Sequence, residues 1–235
     1  MYDVSKLSYH VWFTVRDAYA MLDVGSALGW DCGPLLVRRA GDDAVLERRP
    51  LRIAIPGRYT TGALLCLLAY PCLGEQVPML FSEIEEAVGR GRADLGVLIH
   101  EGRFTYRDKG LALVCDLGAW WQAYSGCPIP LGGIAVRRSL GPEIAASADR
   151  VLHRSISYAF AHPEASRDYV ASYARELSAQ IQQKHIDLFV NRFSLDLGEE
   201  GHRAIDTLYT CYERADLDGG RQEVLSRGRR GGTGA

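Results

Sequence analysis

The sequence predicts an α/β chain folded as two lobes with a cleft between them. Three observations carry that expectation. Compact apolar runs at Leu51–Ile55 and Asp94–Ile99 alternate with helical stretches through the first half, the pattern of βαβ units around a largely parallel sheet. From Pro142 onward the pattern becomes helix after helix. Two segments rich in Pro and Gly, Gly29–Val37 and Leu117–Arg138, read as crossings between lobes. A cleft at a lobe interface is a favoured ligand site.

The elements follow in order. Ser5-Lys6-Leu7-Ser8-Tyr9 reads as a strand entering a helix, and side-chain alternation lets Lys6 or Ser8 face the cleft. Leu51–Ile55 is a buried strand closed by the Pro56-Gly57 turn. Thr60 and Thr61 then precede Ala63–Ala69, an apolar run with a threonine cap signal. Ser82 and Glu85 have the spacing of a capping box for a helix ending near Gly89-Arg90-Gly91. Asp94–Ile99 is a second buried strand and runs into His100-Glu101-Gly102-Arg103. Trp120 and Trp121 sit on a short helix before a strand at Gly133–Val136.

Pro142 suits a first helical position. Ile144, Ala148, Val151, Leu152, Ile156, Ala159 and Phe160 give that helix a broad apolar face to about Ala161. After Pro163, further helices are expected at Ser166–Leu177, Ser178–Phe193 and Glu199–Arg214. The Gly- and Arg-rich stretch from Gly219 to Ala235 reads as a disordered tail.

Composition narrows the class. Of 235 residues, 27 are Lys or Arg and 29 Asp or Glu, for a net charge of -2. That balance is globular and argues against a dedicated nucleic-acid binder. The uncharged runs Tyr59–Gly74 and Leu117–Val136 contain Pro71, or Gln122, Pro128 and Pro130, and neither reads as a membrane span. Residues Met1–Lys6 show no basic or apolar leader region. The six cysteines form no CxxC pair and no metal-site spacing. The expectation is reduced, mostly buried thiols in a cytoplasmic protein with no metal.

Three features point to one kind of site. The helix start at Thr60-Thr61 offers unpaired amides, a positive dipole end and two hydroxyls, and its natural guest is a carboxylate. A plain N-cap threonine gives the same local pattern. His100 lies at the carboxyl end of a buried strand, where open α/β sheets bind ligands. Its imidazole can take a proton near neutral pH, although a structural histidine gives the same pattern. Glu101 and Arg103 could orient a ligand or pair with each other. Lys6 and Ser8 on the first strand are the third feature. The other histidines, His10, His153, His162, His185 and His202, lie on apparent helices or their ends and have less to recommend them.

Several blocks occur together in a recognisable order: Asp3–Ser8, Gly25–Gly29 with Gly33-Pro34-Leu35, Pro56–Thr61, Ile99–Tyr106, Asp116–Trp121, Pro128–Ile134 and Asn191–Asp196. In this combination the chain resembles the 1,4-dihydroxy-6-naphthoate synthases of the futalosine route to menaquinone, over nearly its whole length to about Asp216. The resemblance implies a two-lobed fold of the periplasmic-binding-protein type II kind, with central mixed β-sheets flanked by helices. Lobe one is expected at residues 1–42 and 135–216, lobe two at 43–134, and the tail at 217–235.

The resemblance also implies a carbon–carbon lyase that needs no cofactor. It would split cyclic dehypoxanthinylfutalosine, a small-molecule carboxylate, into the naphthoate and a dihydroxyacetone-like fragment. His100 matches the family's catalytic base; Lys6, Leu7 and Ser8, with Thr60 and Thr61, match its substrate-binding segments. Members of the family carry a Ser-Pro-Cys-Pro-Asn-Asp-Thr strand and helix ahead of the Lys-Leu-Ser strand, so the first strand and helix of lobe one are expected to be missing here. The alternatives are a solute-binding protein of the same fold, a chorismate dehydratase and an inactive remnant.

Overall fold

The computed structural model describes residues 2–100, 102–174 and 179–215. Along the first half run β1 (Val4–Ser8), α1 (Tyr9–Val15), β2 (Tyr19–Met21), β3 (Ala27–Gly29), β4 (Leu35–Arg39), β5 (Arg52–Ile55), α2 (Thr61–Ala69), β6 (Glu75–Pro78), α3 (Ile84–Gly89) and β7 (Leu95–Leu98). Then come α4 (Gly102–Thr105), β8 (Leu111–Asp116), α5 (Leu117–Ser125), β9 (Ile129–Arg137), α6 (Pro142–Ala161), α7 (Arg167–Tyr173), α8 (Ala179–Phe189), α9 (Arg192–Leu195) and α10 (Gly198–Ala215).

The strands form two sheets. In the first, β1, β2 and β3 all pair antiparallel with the long β9. In the second the order is β6-β5-β7-β4-β8. Here β5 runs parallel to β6 and β7, while β4 runs antiparallel to β7 and β8. The parallel sheet expected from alternation is therefore confined to β6-β5-β7, where α2 and α3 supply the crossovers. The strand β4 arrives by a crossing rather than a βαβ unit, and it inserts against its neighbours' direction.

Strand pairing also divides the chain differently from the expected lobe boundaries. β4 lies before residue 42 but belongs to the second sheet, and all of β9 belongs to the first. The chain passes between sheets at residues 30–34 and, through α5, at 117–128. The two crossing regions touch backbone to backbone: a Cβ at Gly33 would stand 2.2 Å from the Cα of Gly118. Only glycine at both positions permits that approach.

One apolar cluster joins the sheets. It includes Leu28 and Ile129 of the first sheet, Ile53 and Val97 of the second, and Trp121 of α5 and Leu208 of α10. Trp121 is fully buried, and its indole N–H donates to the Pro128 carbonyl at 3.1 Å.

Two local readings need correction. The Ser82–Glu85 capping box does not form, because Phe81–Glu83 is a 3-10 turn and the cap position of α3 falls on Glu83. Glu85 is buried and instead pairs with Lys109 from beyond α4; an interior carboxylate needs a cation more than the cap needs a carboxylate. On α6 the packed face is narrower than expected. Ala148, Leu152 and Ile156 pack against Leu22, Val24 and Val136, whereas Ile144, Val151 and Phe160 are exposed. The expected tail at 217–235 lies outside the described residues. Among the described residues no helix is long and apolar enough to cross a membrane.

Candidate active site

The parallel pairing of β5 with β7 puts their carboxyl ends on one edge of the second sheet. Thr60 and Thr61 follow β5, and His100 follows β7. Between them stands Gly62, on which a Cβ would meet Ile99 Cγ2 at 3.3 Å and Val97 Cγ1 at 3.2 Å. The first turn of α2 therefore lies directly beside the residue that precedes His100.

The caps of α2 use the hydroxyls internally. Thr60 Oγ1 accepts from Ala63 N at 3.2 Å and donates to the Gly57 carbonyl at 2.9 Å. Thr61 is 3% exposed, and its hydroxyl donates to the Leu131 carbonyl of β9 at 2.9 Å. The amides of Thr61 and Gly62 have no acceptor among the described residues. The groups left for an anion at this helix end are thus the amides of two buried residues and the dipole, not the two hydroxyls.

The first sheet reaches the same place. Ser8 caps α1 by accepting from Val11 N at 3.1 Å, and its hydroxyl donates to the Tyr59 carbonyl at 2.5 Å. His10 Nδ1 lies 3.2 Å from the Thr60 carbonyl. A carbonyl only accepts, so Nδ1 carries the hydrogen. Lys6 and Ser8 share one face of β1, and Leu7 points to the other. Lys6 is exposed as a residue, but its ammonium donates to the Gly25 carbonyl at 2.7 Å. Desolvation at that end lowers its pKa from the usual lysine value.

His100 is exposed and adopts φ 55°, in the left-handed region. Its ring stands edge-on to Phe81 at 5.5 Å between centroids and tilted by 33° to His185 at 5.9 Å. Arg103 donates to the Gly33 carbonyl and to Asp116, both at 2.7 Å. Asp116 in turn caps α5. Arg103 thereby ties the turn after His100 to both crossing regions. Glu101 lies outside the described residues.

The structure brings Ser8 against Tyr59, next to Thr60, and sets Thr61 on β9; His100 follows Ile99, which lies beside Gly62, while Lys6 turns to Gly25 and Leu7 points to the other face of β1. Sequence reasoning missed His10 and His185. Each meets the region through tertiary contacts, His10 against Tyr59 and the Thr60 carbonyl and His185 against His100. No local motif marks either one.

Residues 1–214 match a protein family described as menaquinone biosynthesis. The chain belongs to the menaquinone biosynthesis family. It is 44% identical over 214 residues to a 1,4-dihydroxy-6-naphtoate synthase of Thermus thermophilus, covering 91% of this chain and 77% of that protein. It is also 44% identical to the 1,4-dihydroxy-6-naphtoate synthase of Streptomyces coelicolor, covering 88% and 74%. A crystal structure of a protein from Archaeoglobus fulgidus superimposes with a TM-score of 0.84 at 36% identity, covering 92% of this chain and 80% of that one. The periplasmic aliphatic sulphonate binding protein of Escherichia coli superimposes at 0.59 with 10% identity, covering 90% and 70%. That likeness places this menaquinone biosynthesis protein in the periplasmic-binding-protein-like fold, with two sheets flanked by helices.

Proposed function

We propose that the protein is a carbon–carbon lyase that converts cyclic dehypoxanthinylfutalosine to 1,4-dihydroxy-6-naphthoate and a dihydroxyacetone-like fragment, with His100 as the base. The observation that carries this reading is an exposed His100 at the carboxyl end of β7, whose preceding residue Ile99 lies against Gly62 in the first turn of α2, in a chain 44% identical to two naphtoate synthases.

The chemistry uses groups the chain itself provides. The Thr61 and Gly62 amides and the α2 dipole bind the aryl carboxylate. Lys6 and Ser8 close over the sugar-derived part from the first sheet. The neutral imidazole of His100 takes the proton of a hydroxyl on that part. The C–O bond becomes a carbonyl as the neighbouring C–C bond breaks. The released electron pair enters the ring, which becomes aromatic, and the proton returns from the imidazolium to the new ring oxygen. No oxidant or reductant enters this balance. The compartment we propose for the reaction is the cytoplasm.

The test is to incubate the protein with cyclic dehypoxanthinylfutalosine and measure the naphthoate released. Product is expected with the unaltered chain. His100→Ala is expected to abolish turnover while leaving product binding largely intact. Absence of product from the unaltered chain would overturn the reaction, and near-normal turnover by His100→Ala would overturn the base.

A further inference from the structure

An exposed base must be held in one orientation to work, because misplacement by an ångström costs much of the rate. His100 leaves the sheet on a left-handed backbone and is exposed. Phe81 touches one side of its ring, and Phe81 is itself 46% exposed. The ring on the other side is His185, carried by α8.

His185 is well placed to act as a fixed wall. It is half-buried and rests on Phe189 one turn further along α8, at 4.5 Å between centroids. The end of α8 is anchored to the first sheet. Asn191 donates to the Leu28 carbonyl of β3 at 2.9 Å, and a Cβ on Gly29 of β3 would lie 3.8 Å from the Leu188 carbonyl. A column of rings, Phe81–His100–His185–Phe189, thus runs from a turn of the second sheet to a helix docked on the first.

We infer that His185 is a positioning residue, which holds the imidazole of His100 by ring-to-ring packing from the first-sheet side. The inference rests on the reading of His100 as the base. It makes α8, which carries none of the motifs recognised in the sequence, a working part of the site. Ring pairs of this geometry are a weak but directional constraint. Their loss lowers the population of the productive rotamer and leaves the carboxylate anchor at α2 untouched.

The test compares three replacements of His185 in the full chain, with kcat and KM measured for each. His185→Ala removes the ring and is expected to lower kcat by about tenfold with KM within about twofold of the unaltered protein. His185→Phe keeps a ring and is expected to recover most of the rate. His185→Gln keeps a polar group without a ring and is expected to behave like His185→Ala. An unchanged kcat in His185→Ala would overturn the inference. So would an active His185→Gln beside an inactive His185→Phe, since that pattern marks proton transfer rather than packing. A rise in KM at unchanged kcat would make His185 a binding residue and would also overturn it. Thermal melts accompany each variant; should His185→Ala unfold, the comparison of Phe with Gln decides alone. His100→Ala separates the two levels: if it remains active, the base reading falls, whereas an inactive His100→Ala with a normal His185→Ala removes only this inference.

Discussion

Replacing Thr61 by Val separates two roles that one hydroxyl could play at the start of α2. The side chain is 3% exposed and donates to the Leu131 carbonyl at 2.9 Å. Valine has nearly the same shape, so no cavity forms, but the donor is lost and the carbonyl loses this partner. A buried hydrogen bond removed from one side costs ~1–2 kcal/mol. For a chain of this size each kcal/mol moves the melting temperature by ~2–4 °C, which gives a fall of roughly 2–8 °C. In urea the midpoint should drop with the slope unchanged. Because the same bond fixes the first turn of α2 against β9, KM for the carboxylate substrate should rise while kcat changes little. Thr61→Ser, which keeps the hydroxyl, should restore both. If Thr61→Val raised KM with no change in midpoint, the hydroxyl would be addressing substrate rather than Leu131, and the reasoning here would fail.

Other substitutions test the frame of the site. Gly33→Ala drives a methyl to 2.2 Å from the Gly118 backbone and should destabilise by ~3 kcal/mol or more, while Gly89→Ala, in α3 with nothing within 4 Å, should stabilise by ~0.5–1 kcal/mol; urea titration of both checks the opposite signs. Burial pushes the Cys32 and Cys66 thiols up to about 12, so a thiol reagent at pH 8 should label the exposed Cys72 and spare both. Because those two values are raised, the stability they contribute is intact below pH 9.0, the ordinary thiol value, and should fade as the pH climbs toward about 12. His100→Gly should unfold at higher urea than His100→Ala by ~1 kcal/mol, since only glycine adopts φ 55° without cost; equal midpoints would argue against strain at this turn.

Much of the second sheet was legible. Leu51–Ile55 and Asp94–Ile99 read as strands because both are short apolar runs bounded by turn residues, and β5 and β7 occupy their centres. Thr60 is the N-cap of α2, as its place before an apolar run implies. What periodicity cannot convey is which partner a side chain prefers once the chain is folded. Glu85 left its cap for Lys109, which is 24 residues away. The face of α6 narrowed because Leu22, Val24 and Val136 cover only one stripe. The antiparallel first sheet was illegible for a similar reason: β9 gathers β1, β2 and β3 from 100 or more residues earlier in the chain, and no local pattern encodes such a pairing. His185 was passed over because a histidine on a helix has no distinguishing mark until His100 is set beside it.

The distribution of the site between the sheets has a consequence for how it can work. On the proposed reading the carboxylate anchor and the base follow β5 and β7 respectively, adjacent parallel strands of the second sheet. Their separation is set by the Gly62–Ile99 contact and by a buried sheet, so it does not depend on how the first sheet sits. Ser8 and His185 come from the first sheet and from a helix packed on it, and they meet the second through a hydrogen bond to the Tyr59 carbonyl and a ring contact with His100, whereas the Lys6 ammonium bonds Gly25 within its own lobe. A substrate can therefore be captured in register with the base before the first-sheet groups engage. Those groups then decide whether the imidazole is held and whether water is excluded. On this division, losses at α2 should appear mainly in KM and losses at α8 mainly in kcat, which is the contrast between Thr61→Val and His185→Ala.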